Sequence, residues 1–246
     1  MTALVVLLIA LVLVIGAIWW SRHKVLERRR AQFEDDQAEA RRWTERLGGQ
    51  VLNLVGTTEP AKQALADAAE RHAAAVSQLQ QATSSHQARL TTESALEGLY
   101  YVRAARLAMD LDPGPELPAL NGQRYAGSVS EFREVEVDGE QRVASPEPTE
   151  RTPHYYPGGT VAGRPVPQGW YSDPWWKPAM AAGMWTAGSY VLMGAMFAGM
   201  TTVPAEAANA DAMSAGDPGA DGGAEGLDGF NDGGGMDGFD IGGFGF

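Results

Sequence analysis

The chain has no cysteine in its 246 residues. That excludes disulfides, thiolate nucleophiles and cysteine metal sites, and it leaves the redox compartment open. Lysine is almost missing too, at three of the 19 basic residues, so arginine carries the positive charge. The phosphate-cradling pattern GxxxxGK[ST] is absent, and no serine sits in a Gly-x-Ser-x-Gly elbow. The four histidines, His23, His72, His86 and His154, are scattered. His72 and His86 share a helical stripe, but 14 residues of helix separate them by roughly 21 Å, too far for one metal. Paired carboxylates fall on solvated faces where nothing fixes their geometry. The sequence therefore predicts no enzyme, no cofactor, no metal and no identifiable small-molecule substrate.

What is present is uneven. The net charge of −12 is regional: residues 201–246 hold nine acids, no base and 13 glycines. No broad positive face exists to neutralise phosphates, which disfavours nucleic acid. The 44% hydrophobic content is concentrated in residues 3–20 and 178–200.

The first of these runs, within TALVVLLIALVLVIGAIWW, has no charge and twelve Leu, Ile or Val residues. At about 1.5 Å per residue it covers roughly 27 Å, close to the hydrocarbon thickness of a bilayer. No basic residue precedes it and no small-x-small site follows it, which argues against a cleaved signal peptide. The run reads as a transmembrane anchor over residues 1–20, with Trp19 and Trp20 at the headgroups. Arg22, Lys24, Arg28, Arg29 and Arg30 follow directly and predict a cytoplasmic side, with the N-terminus outside. They also suit contact with anionic membrane lipids.

Residues 21–112 read as an amphipathic helical module, a coiled-coil-like hairpin or bundle. Phe33, Ala40, Leu47 and Leu54 recur by sevens, with Trp43 and Val51 filling the stripe. Thr57-Thr58-Glu59-Pro60 is a helix start with cap, acidic turn and early proline. Leu65, Ala69, His72, Val76 and Leu79 form a heptad stripe for helix packing, continuing through Thr83, His86 and Leu90. A third helix is expected from about Thr92 to Leu111, ended by Pro113-Gly114-Pro115. So thin a stripe predicts self-association or another membrane protein as partner, or else a solvated stalk.

Residues 113–177 read as a Pro/Gly/aromatic linker, with a hairpin at 131–144 turning on Asp138-Gly139. A lone hairpin needs a surface to lean on. Tyr155, Tyr156, Trp170, Tyr171, Trp175 and Trp176 are too many for an inert linker. They fit a membrane-interface belt or anchors in a partner's groove. The second apolar run, 178–200, fits a second span, an interfacial helix or a buried helix. Gly183, Ala187, Gly194 and Ala198 share one face, the small-residue pattern by which membrane helices pack. Lys177 before it matches entry from the cytoplasm, which would put the tail outside. Residues 201–246 are expected to be a disordered acidic Gly/Phe tail, too irregular for a calcium loop.

The stretch HYYPGGTVAGRPVPQGWYSDPWWKP, between an anchored helical segment and an apolar run with a Gly/Asp/Phe-rich tail, resembles a family of uncharacterised actinobacterial membrane-anchored proteins carrying a domain of unknown function. The resemblance rests mainly on residues 155–178. It implies an organism group and a membrane address, and no mechanism. The expectation is a mainly α protein: an integral membrane scaffold or adaptor, with a lipid-binding surface protein or an accessory subunit of an enzyme or transport complex as alternatives.

Overall fold

A computed structural model describes the backbone of residues 2–208 and the side chains of residue 16 and residues 19–207. Three long helices come first: α1 (Thr2–Asn53), α2 (Glu59–Gln81) and α3 (Ser85–Leu107). The sevenfold stripe of α1 faces the other two. Ala40 and Leu47 are buried, and Trp43, Val51 and Leu54 pack against the same core. The α2 start is built as its sequence implies. The Thr58 hydroxyl accepts from the Ala61 N–H at 3.3 Å, with proline in the first turn. The same hydroxyl donates to the Ala108 carbonyl at 3.0 Å, tying the start of α2 to the end of α3.

Two helical expectations are corrected. The buried face of α2 is Ala61, Ala64, Ala68 and Ala75. Of the expected packing residues, Leu65 is half-buried and packs against this core, Val76 and Leu79 lie half-buried at the flanks, and Ala69 is exposed. The reason is close approach: small residues sit where helix axes are nearest, and larger ones close the sides. Gly98 of α3 shows the same crowding, since a Cβ there would lie 2.4 Å from Leu47 Cδ2 and 3.1 Å from Arg71 Cβ. The heptad stripe also does not run on to Leu90. Ser84, extended and accepting from the Gln87 N–H at 3.3 Å, caps a new helix at Ser85, earlier than the expected Thr92. A side-chain cap overrides a polar continuation.

The region read as a linker carries the sheets. After the short α4 (Gln123–Ala126) come β1 (Arg133–Val137), β2 (Glu140–Ser145), β3 (His154–Tyr156), β4 (Gly159–Val161), β5 (Arg164–Val166) and β6 (Gly169–Tyr171). One antiparallel sheet has the order β1-β2-β6-β3, and β4 pairs with β5 alone. The β1–β2 hairpin turns on Asp138 (φ 55°) and Gly139 (φ 78°), as its sequence requires. Four of the strands have only three residues, too few to show a period. Cross-chain pairing defines them. Within the expected linker, residues 144–153 (ASPEPTERTP) fold into a turn, with the Thr149 and Thr152 hydroxyls 2.7 Å apart and Thr152 buried.

The second apolar run is not one helix. It forms α5 (Lys177–Ala182) and α6 (Ala187–Phe197), separated at Gly183, which adopts φ 68°. An eleven-residue helix covers only about 16 Å, so the second span and the external tail that depended on it are withdrawn. The small-residue stripe does not pack: Gly183, Ala187 and Ala198 are exposed and Gly194 is half-buried. The inward face is Leu192, Met193, Met196 and Phe197. Nor does the fold end at 200. Met200, Val203 and Ala207 are buried, and α7 (Ala205–Ala208) follows. Expectations for residues 209–246 lie outside the described residues. Among the described residues no helix is long and apolar enough to cross a membrane. The expected N-terminal span rests on residues 2–18, whose side chains, Gly16 apart, lie outside those described.

Candidate functional site

The aromatic segment is core, which corrects its expected place at a lipid interface. Trp170, Tyr171, Trp175 and Trp176 are 3, 0, 7 and 1% exposed. Their rings interlock, Tyr156 with Trp176 at 4.9 Å, Tyr171 with Trp176 at 5.2 Å and Trp175 with Trp185 at 5.7 Å. Such pairs add about 0.5–1.5 kcal/mol each beyond area burial. Two polar tips are satisfied locally, Tyr171 donating to the Pro167 carbonyl at 2.7 Å and Trp185 Nε1 to the Val161 carbonyl at 2.9 Å, whereas Trp175 Nε1 is buried with no hydrogen-bond partner among the described residues. The apolar run of α6 thus covers aromatics that would otherwise face water.

Trp19, Trp20, Arg22, Lys24, Arg28, Arg29 and Arg30 instead lie exposed along α1, before the bundle begins. The Trp19 ring stacks on His23 at 5.6 Å, and Lys24 Nζ sits 4.0 Å from the Trp20 ring centre.

Where the helices meet the sheet, a polar seam forms that the sequence did not announce. Lys177 Nζ, at the start of α5, lies 2.8 Å from Asp67 Oδ1 and 3.5 Å from Glu70 Oε2 on α2. Asp67 is 5% exposed. Burial works against the Lys177 charge, but Asp67 and Glu70 outweigh it and its pKa is raised. Beside this pair, Arg71 Nε stands 3.3 Å from Glu97 Oε1, an ion pair lacking hydrogen-bond geometry. Burial lifts the Glu97 carboxyl above its ordinary range; Arg71 opposes this, and Asp67 and Glu70 reinforce it. The phenols of Tyr101 and Tyr156 are driven up by burial and stay neutral donors. His154, on β3, has a buried Nδ1 with no hydrogen-bond partner among the described residues, and burial lowers its pKa.

The seam opens into a cleft of about 370 Å³ lined by Glu93, Glu97, Asn121, Tyr156, Thr160 and Met180. Glycine shapes its rim: at Gly122 (φ 73°) a Cβ would fall 2.5 Å from Thr160 Oγ1. The lining offers two carboxylates, an amide and two hydroxyls, so it can accept hydrogen bonds from an amine or guanidinium. No histidine lines it, and no nucleophile is paired with a base there. Among the described residues, no cluster of three or more acids and histidines could hold a metal ion.

Asp67 and Lys177 are 110 positions apart, and neither belongs to a motif, so no local signal could have joined them. No family model, no curated protein and no solved structure matches the chain.

Proposed function

We propose that the chain is a non-catalytic, membrane-anchored scaffold or adaptor, its head held on the cytoplasmic face by the first part of α1. The observation that carries this is the continuity of α1. One helix of 52 residues begins in a charge-free apolar run and ends with Leu47 inside the head core. A helix shared in this way leaves no flexible joint, so the head stands at a fixed height above the bilayer. The basic residues between the two parts favour the cytoplasmic side. The acidic cleft at Glu93 and Glu97 is the surface we assign to a basic group of a partner protein, either another membrane protein or a second copy.

The test is topology and extraction on the full chain. A reporter active only in the cytoplasm, fused after Phe246, should be active, and an exterior-only reporter at the same position silent. The chain should resist an alkaline wash of membranes. Release by the wash would remove the anchor from this reading, and an active exterior reporter would reverse its orientation.

A further inference from the structure

Between the apolar run and the bundle, α1 is exposed on most sides, but at residues 26–33 the turn between α2 and α3 lies beside it. Because α2 stops at Gln81 and α3 starts at Ser85, the two helices leave an opening against α1 of about 450 Å³. Arg29 and Arg30 line it from α1, and Arg89 and His86 from α3, with Phe33 and Ser84 between them. No acidic residue is in the lining. Arg89 also pairs with Asp36, at 3.1 Å, so three guanidiniums face one carboxylate and positive charge remains. Like charges converging from two separate helices repel unless an anion joins them. Guanidinium forks match the paired oxygens of a phosphate.

Height narrows the source. Arg29 and Arg30 lie about 14 Å along α1 from Trp20. Side chains on a helix lean towards its N-terminus, which brings these guanidiniums back towards a headgroup layer about 5–7 Å deep. The exposed Trp19 and Arg22 share that face of the helix and continue it down to the layer. We propose that this cleft holds the phosphate of an anionic lipid headgroup from the leaflet that α1 enters. The proposal deepens the membrane reading above and rests on it.

The full chain is reconstituted into phosphatidylcholine vesicles with and without phosphatidylglycerol and extracted mildly. Native mass spectrometry then counts the phosphatidylglycerol it keeps. Arg29→Gln with Arg30→Gln should lower retention by about fivefold per arginine. Arg89→Gln should lower it as well, because the cleft needs both walls. Arg22→Gln with Lys24→Gln, on the same helix but outside the cleft, should lower it less. Equal losses from the flank pair, or full retention in the Arg89 variant, would reduce the effect to general surface charge and overturn the proposal. Inorganic phosphate is the competing source: if it protects the cleft as well as lipid does, with no phosphatidylglycerol kept, the lipid assignment fails. Unchanged melting curves establish that the variants fold. A chain washed from pure phosphatidylcholine vesicles by alkali defeats the membrane reading itself. A chain that stays anchored but shows no lipid preference defeats only the cleft.

Discussion

Trp176 has the most to lose among the buried side chains. It is 1% exposed and touches Tyr156, Tyr171 and Trp175. Trp176→Ala should cost about 3–5 kcal/mol, measured by chemical denaturation of the full chain in detergent. A loss under 1 kcal/mol would mean that the ring is not in the core. The Lys177–Asp67 pair is a subtler case. Breaking a wholly buried pair costs about 3–5 kcal/mol, but Lys177 is 36% exposed. Solvent screening therefore reduces the expected loss for Lys177→Met to about 1–2 kcal/mol. A double-mutant cycle with Asp67→Asn should show coupling of the same order; strict additivity would mean the contact contributes nothing. Glu97 adds a pH dependence. Its folded pKa is raised above the ordinary 4.5, so above that pH the folded state holds more protons than the unfolded one. The contribution of this group to stability therefore falls as pH rises through the raised pKa. Stability measured upwards from below pH 4.5 should decline relative to that of Glu97→Gln, and parallel curves would contradict the burial of this carboxyl.

At the level of elements, two glycines in helices separate close packing from mere tolerance. Gly98 has Leu47 and Arg71 against it, whereas Gly49 has nothing within 4 Å. Gly98→Ala should destabilise by about 1–3 kcal/mol through overpacking. Gly49→Ala should stabilise by up to about 1 kcal/mol through helix propensity. Thermal melts of both variants check the pair, and a stabilising Gly98→Ala would show that α1 and α3 are further apart than described. The elements best announced by the sequence were those with local determinants. These are the cap at Thr58, the Asp138-Gly139 turn and the sevenfold stripe of α1, each set within a few residues. The face of α2 was found only in part, at Leu65, because a heptad count favours the larger side chains, whereas axis-to-axis distance favours alanine. The start of α3 was misplaced because a single serine cap outweighs a weak periodic signal.

For the whole molecule, the fold closes later than composition suggests. Met200, Val203 and Ala207 fill the aromatic core, and the Ser128 N–H reaches the Thr202 carbonyl at 3.3 Å. Ending the chain at residue 199 should therefore destabilise the head by several kcal/mol, at about 1.5–3 kcal/mol for each large apolar side chain removed. A melt of that truncation beside one ending at residue 208 tests it; equal midpoints would detach residues 200–208 from the core.

The sequence alone determined the mainly helical character, the sevenfold stripe of α1, the start of α2 and the β1–β2 turn, because neighbours within one or two turns settle them. It also supplied the basic flank and the charge-free run, on which the membrane reading still depends. Only the tertiary structure decided what the six Tyr and Trp residues are for. Aromatic rings next to an apolar run satisfy a membrane interface and a protein core equally well by composition. The choice lies in whether the run has a surface to cover. Here Gly183 breaks it into two short helices, and the larger fits over the rings. The same folding brings Lys177 to Asp67, and Arg89 to Arg29 and Arg30. Those meetings are set by the geometry of packed elements, and no spacing along the chain encodes them.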